Sequence, residues 1–309
     1  MANRSKSIDV VYVLGSGSYW RNNEIRFSLR ALDRNLRGIR KIWIVGDCPD
    51  FVKGINHIPF KDELLNNADG NIIRKVLRIC QEPDVTGNFL FMNDDHLIMK
   101  EVHAAAIPPY HKGDLTTLSK EYFGESTWRG HLWNSRNVLT KFGYKALHFD
   151  CHVPMIINKE KFSEVISKFD FEKTPYTMKS LYGNIVHPDG VKMKGEKVTL
   201  FRPYSQEDIR KKTHGRSFVA YNDDGLKMAL KVWLFQQFPE KSKYEKSADD
   251  PYFDLVKWVL SPAKDFKSGC ELYDKYGLSK RTRKYMSRGE SKVRYLKLEH
   301  KLKELLNYY

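Results

Sequence analysis

Apolar residues fall along the first hundred positions in short bursts closed by turn-forming residues. Residues 8–14 (IDVVYVL) are rich in β-branched side chains and run into Gly15-Ser16-Gly17-Ser18, which predicts a buried strand feeding a glycine loop. Over residues 24–36 the positions Ile25, Leu29, Leu32 and Leu36 recur at helical spacing, with Asn22 or Asn23 as the cap, so an amphipathic helix follows. Residues 41–47 (KIWIVGD) read as a second strand and close a β-α-β unit. A second helix is predicted over 71–80, burying Ile72, Ile73, Val76 and Leu77, and a third strand over 89–92. This alternation places the chain in the α/β class, with a mostly parallel central sheet flanked by helices.

Beyond His96 the pattern loosens. Residues 104–133, with His103 just before them, hold Pro108-Pro109, many aromatics, His111 and His131, and predict a long loop or lid with little regular structure. Helices are predicted over 134–142, 159–169 and 225–238, the last stopped by Pro239, and a strand over 198–201. A short amphipathic helix over 252–260 and a basic one over 291–307 complete the reading. The chain thus divides into a domain over 1–245 and a basic helical extension over 246–309.

The chemistry concentrates at Asn93-Asp94-Asp95, at the carboxyl end of the third strand, where open α/β sheets place their ligands. Two adjacent carboxylates repel each other and attract a cation; hard oxygen ligands suit Mg2+ or Mn2+ bridging to a diphosphate. A solvated turn with a capping Asp satisfies the same residues. The small residues of the 15–18 loop allow a ligand close to the backbone, although the Gly-x-Gly-x-x-Gly fingerprint is incomplete. Arg26, Arg30 and Arg34 form one basic stripe; Arg34 fits a solvated face, while Arg26 and Arg30 lie nearest the loop and are candidate phosphate ligands. His148 and His152 stand four apart, but Pro154 and its β-prone neighbours argue against a helix there, and zinc is set aside. His152, close to Asp150, is a candidate acid/base, or a structural histidine. A second Asn222-Asp223-Asp224 follows a strand-like run at 216–221.

Composition adds a partner class. The 309 residues carry a formal charge of +15, much of it late, around Lys280-Arg281-Thr282-Arg283-Lys284. Such a charge attracts a nucleotide donor, an anionic glycan, nucleic acid or a membrane surface. No apolar run approaches the roughly 20 residues needed to span a bilayer, so a cytoplasmic protein is expected. Cys48, Cys80, Cys151 and Cys270 are scattered without a Cys-x-x-Cys pair, against a zinc site or a disulfide framework.

Four blocks, in order, resemble the Stealth family, whose members include bacterial capsular-polysaccharide hexose-1-phosphate transferases and the catalytic core of the animal lysosomal-enzyme N-acetylglucosamine phosphotransferase. Asp9-Val10-Val11-Tyr12 is similar to its opening strand. The stretch 24–32 together with Ile42-Trp43-Ile44-Val45 and 89–95 is similar to its second block. His152-Val153-Pro154-Met155-Ile156 after Lys141-Phe142-Gly143 looks like the third, and Asp208-Ile209-Arg210 to Asn222-Asp223, with Phe238-Pro239 to Glu245, like the fourth. Where the family carries an arginine-bearing segment that holds donor phosphates, 174–183 offers Lys179. The resemblance implies a GT-A-like fold and transfer of sugar-1-phosphate from a nucleotide sugar to a glycan hydroxyl, with release of a nucleoside monophosphate. It places metal on Asp94 and Asp95, the catalytic histidine on His152 and further site positions on Asn222 and Asp223.

The expected assembly therefore has Asp94 and Asp95 on Mg2+ or Mn2+, with Asp95, His152 and Arg30 catalytic. Asp9, Gly15, Ser16, Gly17, Arg26, Asn93, Asn222 and Asp223 would bind the donor. Two other readings stay open: a glycosyltransferase modifying hydroxymethylated bases in phage DNA, bound through the basic C-terminal segment, and a non-catalytic nucleic-acid- or glycan-binding protein.

Overall fold

The computed structural model describes residues 7–246 except 16, 19, 21, 125 and 126, together with Glu271 and His300. The predicted helices over 252–260 and 291–307 lie outside the described residues.

The first half forms as the hydrophobic pattern requires. Strand β1 (Ile8–Leu14) is buried along its whole length, which makes it central to the sheet. Helix α1 (Glu24–Asn35) leads to β2 (Ile39–Gly46) and β3 (Asn56–Ile58), then α2 (Ala68–Cys80) leads to β4 (Asn88–Met92). The short strand β5 (His96–Ile98) follows at once. Helix α3 (Thr127–Lys141), β6 (Met155–Asn158), α4 (Lys159–Ile166) and α5 (Met178–Val186) come next. The last elements are β7 (Lys197–Leu200), α6 (Gln206–Thr213), β8 (Phe218–Tyr221) and α7 (Met228–Gln237).

The main sheet has the order β3-β2-β1-β4-β6, parallel except for β6, which runs antiparallel to β4. The chain moves outward from β1 through β2 and β3, then returns to the other side of β1 with β4. The switch in direction lies between β1 and β4, so a crevice opens past their carboxyl ends. Gly46, with φ +116, closes the neighbouring strand end; a Cβ there would stand 1.9 Å from the Leu14 carbonyl oxygen. A smaller sheet of order β7-β8-β5 pairs β8 antiparallel to β5 and parallel to β7. The Asn93-Asp94-Asp95 turn is therefore the passage from β4 in one sheet to β5 in the other.

Two expectations need correction. Helix α3 starts inside the stretch expected to be irregular, because its first turns bury His131, Leu132 and Ser135 against the core although Gly130 interrupts the apolar period. Helix α2 begins before Asn71: Asn67 caps it, its side chain accepting from the Gly70 amide at 2.8 Å.

Candidate active site

Strand register brings the acidic turn together with distant residues. Ala220 pairs with His96, so Tyr221 and the Asn222-Asp223 turn come to lie beside Asp95. Asn222 closes its own turn, accepting from the Gly225 amide at 3.0 Å. Glu24, at the start of α1, is buried and accepts from the Ser18 hydroxyl at 2.9 Å. Burial, then the charges of Asp95 and Glu24, hold the Asp94 carboxyl well above its ordinary range. Asp223 is raised by burial and by the charges of Asp224 and Asp95. This is a concentration of negative charge that calls for a cation.

Asp95 faces two histidines. Its Oδ2 lies 3.5 Å from His152 Nδ1 and its Oδ1 3.8 Å from His96 Nε2. One ligand atom from each of the three residues falls within 4.8 Å of the others. Asp95 Oδ1, His96 Nε2, His152 Nδ1 and Asn93 Oδ1 are all buried without a hydrogen-bond partner. Unpartnered polar atoms converging in this way fit a metal ion. His96 fits it least: its Nδ1 accepts from the Asn93 amide at 3.2 Å, which places the ring proton on Nε2. Burial holds His96 well below its ordinary pKa, so it stays neutral, its Nε2 facing Asp95 Oδ1 from beyond hydrogen-bond distance. Asp95 and His152 are then the converging groups best suited to an ion, while Asp94, expected beside Asp95 on the metal, is not among the three residues whose ligand atoms converge.

His152 is strained into place. Its φ is +49, a left-handed backbone that a side chain with a Cβ rarely adopts. The segment on either side is pinned by two buried amines: Lys197 Nζ donates to the Cys151 carbonyl and Lys179 Nζ, at 2.9 Å, to that of Val153. Burial lowers both lysines, Lys197 to about 7. Asp150 accepts from Trp128 Nε1 at 2.9 Å. Burial works against its charge, but His152, Lys179 and that hydrogen bond bring it down to about 2. No helix forms at 148–154, as expected, but the segment is not extended throughout: residues 151–153 bend, and His152 takes the left-handed backbone.

A cleft of about 460 Å³ opens beside the turn, bordered by Gly15, Asp62, Lys75, Asn93, Asp94 and His131 among others. Of the residues expected to bind the donor, Gly15 and Asn93 border this cleft. Ser16 lies outside the described residues, and Gly17 does not border the cleft.

The remaining candidates are placed elsewhere. Asp9 lies at the opposite end of β1, level with Phe89. Its carboxylate accepts from Arg40 Nε and Nη2, the Lys41 and Thr86 amides and Trp43 Nε1, so it ties strand starts together rather than binding a nucleotide. Arg26 and Arg30 converge on Glu245, at 2.7 and 2.8 Å, and all three side chains are buried. Arg30 also donates to the Phe238 carbonyl, and Arg26 lies 3.8 Å from the Phe51 ring centroid. These contacts replace the phosphate and catalytic roles expected of the two arginines, because a guanidinium closed on a buried carboxylate is not presented to a ligand. Lys179 likewise serves a carbonyl. Glu24, His96, Lys197, Tyr221 and the Asp69–His131 pair were not singled out for the site from the sequence; strand pairing brings up Lys197 and Tyr221, and helix packing brings Asp69 to His131.

No family model matches the chain, and no curated protein matches it. Among solved structures, galactosyltransferase LgtC in complex with donor and acceptor sugar analogues is 8% identical, with 76% of this chain and 97% of that chain covered and a TM-score of 0.44. Glycosyltransferase GlyE of Streptococcus pneumoniae TIGR4 in its apo form is 13% identical over 79% of this chain and 66% of that one, with a TM-score of 0.37. Mouse xyloside xylosyltransferase 1, also apo, is 8% identical over 71% and 99%, at 0.37. These are distant likenesses, and the reading below rests on the site itself.

Proposed function

We propose that the chain is a metal-dependent transferase that takes a nucleotide-sugar donor and moves sugar-1-phosphate to a glycan hydroxyl. The observation that carries this is the Asn93-Asp94-Asp95 turn at the switch point of the sheet, where unpartnered buried oxygens of Asn93 and Asp95 gather near His96 and His152 beside a cleft large enough for a nucleotide. Asp94 and Asp95 would hold Mg2+ or Mn2+, which when bound supplies positive charge to the donor's diphosphate. His152, whose Nδ1 lies 3.5 Å from Asp95 Oδ2, would take the acceptor proton through the exposed part of its ring. Gly15 leaves room for the nucleotide to approach the backbone, and Asn222 and Asp223, beside Asp95, would bind the donor. The GT-A-like resemblance and the choice of phosphotransfer over glycosyl transfer belong to this reading.

The test is incubation with a panel of nucleotide sugars and Mg2+ or Mn2+, reading the released nucleotide by mass spectrometry. A monophosphate is the expected product. A diphosphate would replace sugar-1-phosphate transfer with glycosyl transfer and favour the DNA-modifying alternative when DNA is the acceptor that responds. No nucleotide released from any donor, with glycan and DNA acceptors present, would overturn the enzyme.

A further inference from the structure

The two arginines expected to serve the donor phosphates are closed on Glu245, and Lys75, which borders the cleft, lies 2.5 Å from Asp62. The cleft that Asp94 borders holds another group suited to work on the donor. His131, in the second turn of α3, is buried and borders the same cleft. Its Nδ1 is 2.6 Å from Oδ2 of Asp69, in the first turn of α2. Burial raises the Asp69 carboxyl and the His131 hydrogen bond opposes that rise, so the pair forms one polar unit inside the protein. With Nδ1–H donated to Asp69, the proton-exchanging nitrogen is Nε2, which has no hydrogen-bond partner among the described residues. A carboxylate that fixes the tautomer and orientation of an imidazole, leaving Nε2 to a ligand, is the arrangement of a catalytic acid/base. The Ser135 hydroxyl donates to the His131 carbonyl at 2.9 Å, and Ser135 Oγ lies 3.1 Å from Thr177 Oγ1, so the helix that carries the ring is itself braced.

We propose that His131, oriented by Asp69, is a second acid/base of the cleft and serves the leaving oxygen of the nucleotide. This rests on the transferase reading above. The acceptor oxygen forms its new bond as the bond from the transferred group to the nucleotide oxygen breaks, the bonding pair staying on that oxygen. The acceptor proton goes to His152; the proton on His131 Nε2 goes to the nucleotide oxygen; solvent then resets both rings. The scheme balances for transfer at phosphorus and at carbon alike, since either leaves charge on a nucleotide oxygen.

Two measurements on the full chain test it: donor turnover of wild type, His131→Asn and Asp69→Asn, and the ring 15N resonances of His131 titrated with uridine, cytidine, guanosine and adenosine mono- and diphosphates. The expected result is a fall in kcat of about 10²–10⁴-fold for His131→Asn with donor KM changed less than about threefold, and a smaller fall for Asp69→Asn. Wild-type turnover with His131→Asn inside about tenfold of it would overturn the dyad and leave the transferase standing. A wild type that turns over no donor ends the transferase reading; the dyad falls with it if no nucleotide moves the His131 resonances, and stands as a nucleotide contact if one does. Should His131→Asn fail to fold, Asp69→Asn keeps the shape of the pair and removes its charge, and its kcat decides.

Discussion

At the scale of single residues, the site is marked by positions that stability alone would not choose. His152 keeps a φ of +49, a conformation that costs a residue bearing a Cβ about 1–2 kcal/mol. His152→Gly relieves that strain and adds backbone entropy to the unfolded chain, two effects that nearly offset. Its unfolding free energy is expected within about 1 kcal/mol of wild type, while turnover falls about 10²–10⁴-fold. Denaturant unfolding and a rate assay check the pair of outcomes; a large loss of stability would make His152 structural instead. Asp94 gives the complementary case. Its charge is opposed by burial, Asp95 and Glu24, so Asp94→Asn removes repulsion and should raise the melting temperature of the metal-free protein. The same variant should lose the further rise that Mn2+ gives wild type, since ligand binding to the folded state alone stabilises it. Equal Mn2+ shifts in both proteins would remove Asp94 from the ligand set. The sequence displays Asp94, Asp95 and His152 because a polar pair ending an apolar strand is a local pattern. It cannot display Glu24, Lys197 or the Asp69–His131 contact as parts of a site, since each acquires its partner through pairing between distant segments.

At the scale of elements, α1 shows how a correct local reading led to a wrong role. The arginine stripe at Arg26 and Arg30 is real, yet it faces inward, toward Glu245, which follows α7 and pairs by a β-bridge with Val52. Helical periodicity reports which residues share a face, not what that face meets. Glu245 is therefore a counter-ion on which the docking of α1 depends. Glu245→Ala would remove the carboxylate that two buried guanidinium groups share and should destabilise the protein by about 3–5 kcal/mol, measured by denaturant unfolding. The pH dependence follows. Although burial works against it, the hydrogen bond and charge of Arg30 and the charge of Arg26 hold the Glu245 carboxyl below its ordinary value. A carboxyl depressed in the folded state contributes its full stability above its unfolded pKa, near 4.3, and loses it as pH falls through the lower folded value. Wild type should lose stability steadily below about pH 4.3, and Glu245→Gln, weaker throughout, should lose less over that interval. Parallel pH profiles would show that Glu245 is not the group being protonated. The start of α3 was illegible for a different reason: Gly130 and the polar His131 and Ser135 break the apolar period, and the contacts that bury them come from α2 and the segment before α5.

At the scale of the whole molecule, the parallel sheet was legible because β1, β2 and β4 are apolar runs alternating with amphipathic helices. The second sheet was not, since β5, β7 and β8 are short and pair only across long separations. What joins the two sheets is the acidic turn itself, so the place where the chain changes sheets is also where its chemistry gathers. The charge of +15 is a property of another kind. Lys280 to Lys303 is dense in lysine and arginine, with Glu290 and Glu299 as its carboxylates, and this basic stretch lies outside the described residues that build the cleft. Donor chemistry and attraction to a polyanion should then separate. A chain ended after Lys246 retains Glu245 and every residue placed at the site, and its donor turnover with a small hydroxyl acceptor should stay within about threefold of the full chain, since the contacts that act in the transition state are unchanged. Binding to duplex DNA or an anionic glycan should weaken, and the slope of log affinity against log salt should become shallower, because each phosphate contact removed lowers the number of counterions released. Filter binding across a salt series, beside the nucleotide-release assay, measures both. If truncation abolishes turnover with the core still folded, the basic segment belongs to the active site. If it leaves the salt slope unchanged, the polyanion is held by the basic residues of the core.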